Sequence, residues 1–123
     1  KGGTMSVWGD GTPIRDFIHS KDVARGMIFA VENKITEPLN LGSGVGVNIG
    51  ELATSIADKF GCEVEFDSTK PNGDHKRILD MSRAYNYGYE NSVSVKDGID
   101  DTIDWYLENK NNKLDFRHNP FED

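Results

Sequence analysis

The sequence predicts an α/β fold built from short strands and about three helices. Three segments repeat apolar residues at helical spacing, and short runs of strand-forming residues fall between them. Strands that alternate with helices are typical of α/β domains. A chain of 123 residues is long enough for a single domain with one core.

Two strands and one helix are expected in the first third of the chain. The strands, at 5–8 and 16–19, flank the turn-rich segment 9–13, which holds two glycines and a proline. Residues 20–33 carry apolar side chains at helical spacing and predict the first helix. The side chains at this spacing are Val23, Met27 and Val31.

The middle third predicts a strand, a helix and a second strand. A short strand at 39–41 is closed by a glycine-rich loop. Asn48 stands where a helix N-cap belongs, Glu51 follows three residues later, and Gly61 stands where a helix ends. Residues 63–67 alternate charged and apolar side chains, the pattern of a half-buried strand. The helix stripe consists of Ile49, Leu52, Ala53, Ile56, Ala57 and Phe60.

The last third predicts an irregular basic segment, a final helix and a tail. Ser94 and Asp97 mark the start of the helix, whose apolar stripe continues to Leu107. The stretch 110–123 is polar and has no period, which indicates a surface tail. Its candidates for docking onto the domain are Phe116 and Phe121.

Composition excludes several classes of function. The net charge of −7 argues against binding to a nucleic-acid backbone, which needs a basic face. No apolar run approaches the roughly 20 residues of a membrane helix, and no signal-peptide core follows the first residues. The single cysteine, Cys62, permits no internal disulfide, which favours a reducing compartment and predicts a cytoplasmic protein. The three histidines show no metal-ligand spacing, so no metal site is expected.

The loop Gly42-Ser43-Gly44-Val45-Gly46 precedes a predicted helix and could cradle a phosphate through its backbone N–H groups. A dinucleotide fingerprint would require glycine at position 47, which is Val47. A strand-to-helix turn with unusual backbone angles is the favoured interpretation, and a phosphate role stays open.

Two further segments carry groups suited to a nucleotide. Residues 8–17 place the Trp8 ring, a glycine turn and the planar fork of Arg15 close together. Alternatively, Trp8 packs in the core and Arg15 pairs with a neighbouring aspartate, Asp16 or Asp22. Residues 70–77 concentrate three cations in a turn-rich segment that could close over a diphosphate, or could be a solvated loop. The three cations are Lys70, Lys76 and Arg77.

The run VWGDGTPIRDFIHSKD at 7–22 resembles a segment of the extended short-chain dehydrogenases/reductases, the NAD-dependent epimerase/dehydratase family. The blocks LNLGSG, NIGELA, FDSTKPNG and KRILDMSR follow in the family's order, and the likeness extends over 7–109. The Trp8-Gly9 pair and KPNG are similar, more narrowly, to the GDP-L-fucose synthase branch.

This resemblance implies the small C-terminal substrate-binding lobe of a Rossmann-type reductase. Residues 1–109 would bind a nucleotide-diphospho-sugar, most simply a GDP-sugar, and 110–123 would form the tail. The implied substrate-binding residues are Trp8, Arg15, Asn72, Lys76 and Arg77. The family usually has aspartate where this chain has Asn72, which leaves the identity of the sugar open.

The family's glycine fingerprint and its Ser, Tyr-x-x-x-Lys set have no counterpart here. Tyr106 and Lys110 share the spacing, but they lie on the predicted final helix. The resemblance therefore implies no catalytic residue in this chain and an N-terminal dinucleotide-binding domain in a longer parent. NADP or NAD would bind only in that parent, a homodimer, and the fragment alone would be inactive. The implied reaction is epimerisation and reduction of a 4-keto-6-deoxy sugar. The alternatives are another epimerase or dehydratase of the superfamily, or a non-catalytic nucleotide-binding module.

Overall fold

The computed structural model describes residues 2–111 and confirms the α/β class. Two small sheets and four helices are present in this part of the chain. The elements are β1 (Thr4–Trp8), β2 (Ile14–Asp16), α1 (Ser20–Glu32), β3 (Gly46–Asn48), α2 (Ile49–Phe60), β4 (Glu63–Asp67), β5 (Lys76–Arg77), α3 (Ser82–Asn86) and α4 (Val95–Asn109). The part of the predicted tail beyond residue 111, with Phe116 and Phe121, lies outside the described residues.

The two sheets bring together strands that are far apart in the sequence. In the first sheet β1 pairs in parallel with β4, from Thr4 opposite Glu63 to Trp8 opposite Asp67. In the second sheet β2 is central, antiparallel to β3 and parallel to β5. The segment between β4 and β5 therefore passes beside the ends of both β1 and β2.

The predicted helix boundaries at α2 and α4 are confirmed. The Asn48 side chain accepts hydrogen bonds from the backbone N–H groups of Gly50 and Glu51, and Gly61 ends α2 with a left-handed φ of 62°. The Ser94 side chain caps α4 by accepting from the N–H of Asp97. These caps satisfy backbone groups that have no partner within a helix.

Two predicted strands are wrong. Residues 39–41 form no strand, and β3 begins instead at the last residue of the glycine-rich loop, because Gly46–Asn48 can pair with β2. The strand predicted at 16–19 is displaced to Ile14–Asp16, because His19 already acts as the N-cap of α1. The short elements β5 and α3, inside the segment predicted as irregular, were not anticipated.

A cluster of buried side chains lies between α1 and α3. Met81, Ala84 and Tyr89 are buried together, and Phe29 and Leu41 pack against them. Next to this cluster the fully buried carboxylate of Asp22 accepts hydrogen bonds from residues 92 and 93. The cluster and the carboxylate together fix α1 against the chain that leads into α4.

Candidate functional site

The turn at 70–73 brings the end of β1 close to β2. At one side Lys70 places its Nζ 5.6 Å from the centre of the Trp8 ring, a cation–π distance. Trp8 follows the alternation of β1 to the sheet's outer side, and 70% of it is exposed. The interpretation of Trp8 as core packing is therefore wrong, and its ring is available to a ligand. Lys70, one of the three cations of the 70–77 segment, lies at this site although the family resemblance did not imply it as a substrate-binding residue.

Asn72 holds this turn against the turn that follows β1. Its Oδ1 accepts a hydrogen bond from the backbone N–H of Asp10 at 2.8 Å. Gly9 has a left-handed φ of 86°, and a Cβ at Gly9 would lie 2.1 Å from the same Oδ1. Glycine is required here by both conformation and space. The acceptor of Asn72 is thus used to join the two turns, and the Asn72 side chain also hydrogen-bonds the carboxylate of Asp10.

Arg15 and Arg77 lie next to each other across the β2–β5 ladder. They are partners in the parallel register, so their side chains emerge on the same face of the sheet. The neighbouring pair, Ile14 and Lys76, lies on the opposite face. Of the five residues proposed from the resemblance, the sheet therefore places two cations side by side and turns Lys76 away from them.

The ion-pair alternative for Arg15 is not realised within residues 2–111. Its Nη1 donates to the carbonyl of Ile14 at 2.8 Å, and no carboxylate of the described residues forms an ion pair with it. Asp22 is paired instead with Arg25 at 2.7 Å. Arg77 does have an acidic partner, Asp74, on the exposed turn before β5. Among the described residues, Arg15 is thus a half-buried cation without an ion-pair partner.

The glycine-rich loop binds an anion, but that anion belongs to the chain itself. Asp16 Oδ1 accepts from the N–H of Ser43 at 2.7 Å, and its Oδ2 accepts from the N–H of Gly44 at 3.0 Å. Burial raises the pKa of Asp16, but the hydrogen bonds from Ser43, Leu79 and Gly44 outweigh burial and lower the pKa below its ordinary value. The loop therefore does not fit the pyrophosphate of NAD(P), because a charged carboxylate occupies its N–H groups.

The described part of the chain was searched for a metal-binding cluster and for a membrane-spanning helix. Residues 2–111 contain no group of three or more histidine, cysteine or acidic side chains that could hold a metal ion. His19 is engaged at the start of α1, where its Nε2 lies 3.2 Å from Asp101. Among the same residues, no helix combines the length and the apolar character needed to cross a membrane.

The chain is similar to one protein family and to known members of it. Residues 1–42 match the NAD dependent epimerase/dehydratase family. Putative GDP-L-fucose synthase 2 of Arabidopsis thaliana is 39% identical over 106 residues, which are 84% of this chain and 32% of the relative. GDP-L-fucose synthase of Escherichia coli K12 is 37% identical over 116 residues, 85% of this chain and 36% of the relative.

The chain is thus similar to the NAD dependent epimerase/dehydratase family over residues 1–42, and to the GDP-L-fucose synthases over 84–85% of its own length. A solved structure of a GDP-L-fucose synthetase from Naegleria fowleri bound to NADP superimposes with a TM-score of 0.77. It is 27% identical, and the match covers 87% of this chain and 35% of that one. The chain thus spans about a third of the length of the family members it matches.

Proposed function

We propose that this chain is the nucleotide-sugar-binding portion of a longer NAD(P)-dependent epimerase/reductase, and that its ligand is a GDP-sugar. The observation that carries the proposal is the in-register pair Arg15 and Arg77, joined to Trp8 by the turn at 70–73. The names of the GDP-L-fucose synthase relatives support the choice of GDP.

Different side chains of this site suit different parts of a nucleotide-sugar. The exposed face of Trp8 suits a base or a sugar ring, and Lys70 adds a positive charge beside it. The guanidinium groups of Arg15 and Arg77 suit diphosphate oxygens, which they can grip two at a time. The chain's net charge of −7 repels an anion, so these placed cations must supply the local attraction.

The proposed reaction of the intact protein, meaning the whole polypeptide that contains this chain, converts GDP-4-keto-6-deoxymannose to GDP-L-fucose. NAD(P)H would supply the hydride that reduces the 4-keto group. The residues of this chain bind and orient the nucleotide part of the substrate. Proton and hydride transfer belong to a dinucleotide-binding domain that precedes this portion. We include in the proposal a cytoplasmic location, which the single free cysteine supports. The homodimer that we also propose rests on the sequence resemblance alone.

A different sugar is the second candidate. The observation behind it is Asn72, which replaces the aspartate usual in the GDP-L-fucose synthase branch. The oxygen of Asn72 is used by the backbone of Asp10, so the change alters the charge of the turn and leaves its hydrogen bond in place.

Turnover by the intact protein tests the proposal. We expect oxidation of NADPH with GDP-4-keto-6-deoxymannose and formation of GDP-L-fucose, measured by absorbance and chromatography. Activity with UDP- or dTDP-sugars in place of the GDP-sugar would contradict the choice of nucleotide. Nucleotide binding without turnover of any sugar would support the non-catalytic module. A Trp8→Phe variant should lose most of the tryptophan fluorescence change that GDP causes, with Trp105→Phe as the matched control.

A further inference from the structure

The turn at 70–73 contacts the candidate site at two places. At its start the Nζ of Lys70 lies 5.6 Å from the centre of the Trp8 ring. At its end a Cβ at Gly73 would lie 3.4 Å from the Nη2 of Arg15, so the guanidinium lies against the backbone of the turn. The position of this turn therefore affects both the ring and the cation that the proposed function assigns to the nucleotide.

Asn72 fixes the turn by bonding to Asp10 in two ways. Its Oδ1 accepts a hydrogen bond from the backbone N–H of Asp10 at 2.8 Å, and its side chain also hydrogen-bonds the Asp10 carboxylate. Thr12 holds the same carboxylate, because its N–H and its hydroxyl donate to Oδ1 at 2.9 Å and 2.7 Å. Hydrogen bonds from Thr12 first, and then from Asn72, hold the pKa of the Asp10 carboxyl below its ordinary value. Asp10 therefore faces Asn72 as a fixed, charged acceptor.

An amide facing a carboxylate satisfies this contact, whereas two facing carboxylates would not. The Asn72 amide offers an oxygen as acceptor and an NH₂ group as donor, so it can bond the N–H and the carboxylate of Asp10 at once. An aspartate at position 72 would keep the acceptor, but it would have no donor and would place a second negative charge beside Asp10. Charge and hydrogen bonding at the two positions therefore depend on each other.

We propose that Asp10 and Asn72 are a matched pair of positioning residues, which together hold the turn at 70–73 in place for nucleotide binding. The pair acts through Trp8 and Arg15, which the turn contacts at its two ends. Groups that are ordered before a ligand arrives lose less conformational freedom on binding, so the pair raises the affinity without a ligand contact of its own. The inference rests on the proposed function, because it assigns the pair a role in binding the GDP part of the substrate.

A double-mutant cycle in the intact protein tests the pairing, with the Kd for GDP measured by isothermal titration calorimetry. Asn72→Asp places two carboxylates face to face, and we expect its Kd to rise at least about 10-fold. Asp10→Asn leaves two amides, which can still hydrogen-bond, and should raise the Kd less than about 3-fold. The double variant Asp10→Asn/Asn72→Asp, called here the exchange variant, again pairs an amide with a carboxylate. Its Kd should lie within about 3-fold of that of the unmodified protein.

The cycle separates positioning from a direct effect of charge on the nucleotide. If each carboxylate only repelled the diphosphate, Asp10→Asn would tighten binding and the effects of the two substitutions would add. We expect instead a departure from additivity of about 5-fold or more, and additive affinities would overturn the inference. Asn86→Asp is the matched control, because Asn86 is exposed at the end of α3 and its side chain forms no hydrogen bond within residues 2–111. Its Kd should equal that of the unmodified protein.

Further measurements keep the outcomes distinct. The fluorescence change that depends on Trp8, measured at saturating GDP, should shrink in Asn72→Asp and recover in the exchange variant, which a purely structural role would not require. Melting curves without nucleotide check that each variant folds. Should Asn72→Asp not fold, Asn72→Ala takes its place: it changes no charge, so the expected rise of about 5-fold in Kd cannot come from repulsion of the diphosphate, and an unchanged Kd would contradict the pairing. If the unmodified intact protein binds no GDP, the proposed function itself fails; if it binds GDP and the affinities are additive, this inference alone is wrong.

Discussion

The carboxylate of Asp16 lies in a backbone cradle formed at Ser43. It accepts both the N–H of Ser43, at 2.7 Å, and the Ser43 hydroxyl, at 2.5 Å, while its second oxygen accepts from Gly44 and Leu79. A phosphate bound by a glycine-rich loop would use the same kind of backbone N–H groups. The loop is therefore a structural joint between β2, β3 and the chain that leads to α3.

Removal of this carboxylate should destabilise the fold. Asp16→Ala leaves several backbone N–H groups without their charged acceptor, and we expect a loss of about 2–3 kcal/mol in the free energy of unfolding. Urea denaturation of residues 1–123 measures it. Asp58→Ala is the matched control, because the Asp58 carboxylate is exposed and forms no hydrogen bond or ion pair with the described residues. Equal losses of unfolding free energy in the two variants would show that the hydrogen bonds to Asp16 add no stability beyond that of an ordinary surface carboxylate.

The buried carboxylate of Asp22 should make stability fall in acid. Burial raises its pKa, but hydrogen bonds from Val93, Ser92 and Arg25 outweigh burial and hold the pKa below the ordinary value. The charged form therefore stabilises the folded state above the unfolded pKa of about 3.9, and this stabilisation is lost as pH falls through the lower, folded pKa. We expect the unfolding free energy to decline below about pH 4.

Asp22→Asn tests this assignment. The variant should lose about 3 kcal/mol at pH 7, because an amide NH₂ would face N–H donors, and its acid dependence should be shallower than that of the unmodified chain. Exposed Asp58→Asn is the comparison and should change neither quantity. A variant with the same acid profile as the original would assign the effect to other carboxylates.

Arg15→Ala in the intact protein should weaken GDP-sugar binding by about 1.5–3 kcal/mol, the contribution of a charge-assisted hydrogen bond. Arg15→Lys should recover part of this loss, since a point charge cannot bind two oxygens as a planar fork does. Lys76→Ala, on the other face of the sheet, should cost less than Arg77→Ala. Isothermal titration calorimetry measures the affinity for the GDP-sugar, and a melting curve measures the stability of each variant. Unchanged affinity with a lowered melting temperature would make Arg15 a scaffold residue.

Residues 1–123 alone should transfer no hydride from NADPH to any nucleotide sugar. The glycine-rich loop is filled by Asp16, and Tyr106 and Lys110 lie at the end of α4, far along the chain from the nucleotide site. A coupled absorbance assay with repurified protein measures the rate. Turnover that survives repurification would place the active site within this chain and contradict the division of labour proposed above.

The sequence was sufficient for elements that are determined locally. Asn48, Gly61 and Ser94 mark helix ends because a cap involves only residues within about four positions of it. The strands β3 and β5 have three and two residues, and they exist because β2 offers them backbone partners. Such pairing depends on tertiary contacts, which leave no local periodicity to detect.

The candidate site, too, could be predicted from the sequence only in part. The residue types of Trp8 and Arg15 indicated nucleotide binding from the sequence. The spatial neighbours of these residues became known only from the structure, because the register that aligns Arg15 with Arg77 joins segments about 60 residues apart. Lys70 had one usable signal, its place in a basic turn. Its position over the Trp8 ring depends on the pairing of β1 with β4.

The pairing of β1 with β4 also sets an order of events during synthesis. Thr4 leaves the ribosome about 60 residues before Glu63, its partner in the parallel sheet. For that interval β1 is a nascent strand with no template within the chain, while α1 and α2 can already form from local contacts. Closure of this sheet is therefore a late, non-local step, and the site at the end of β1 is assembled only after it.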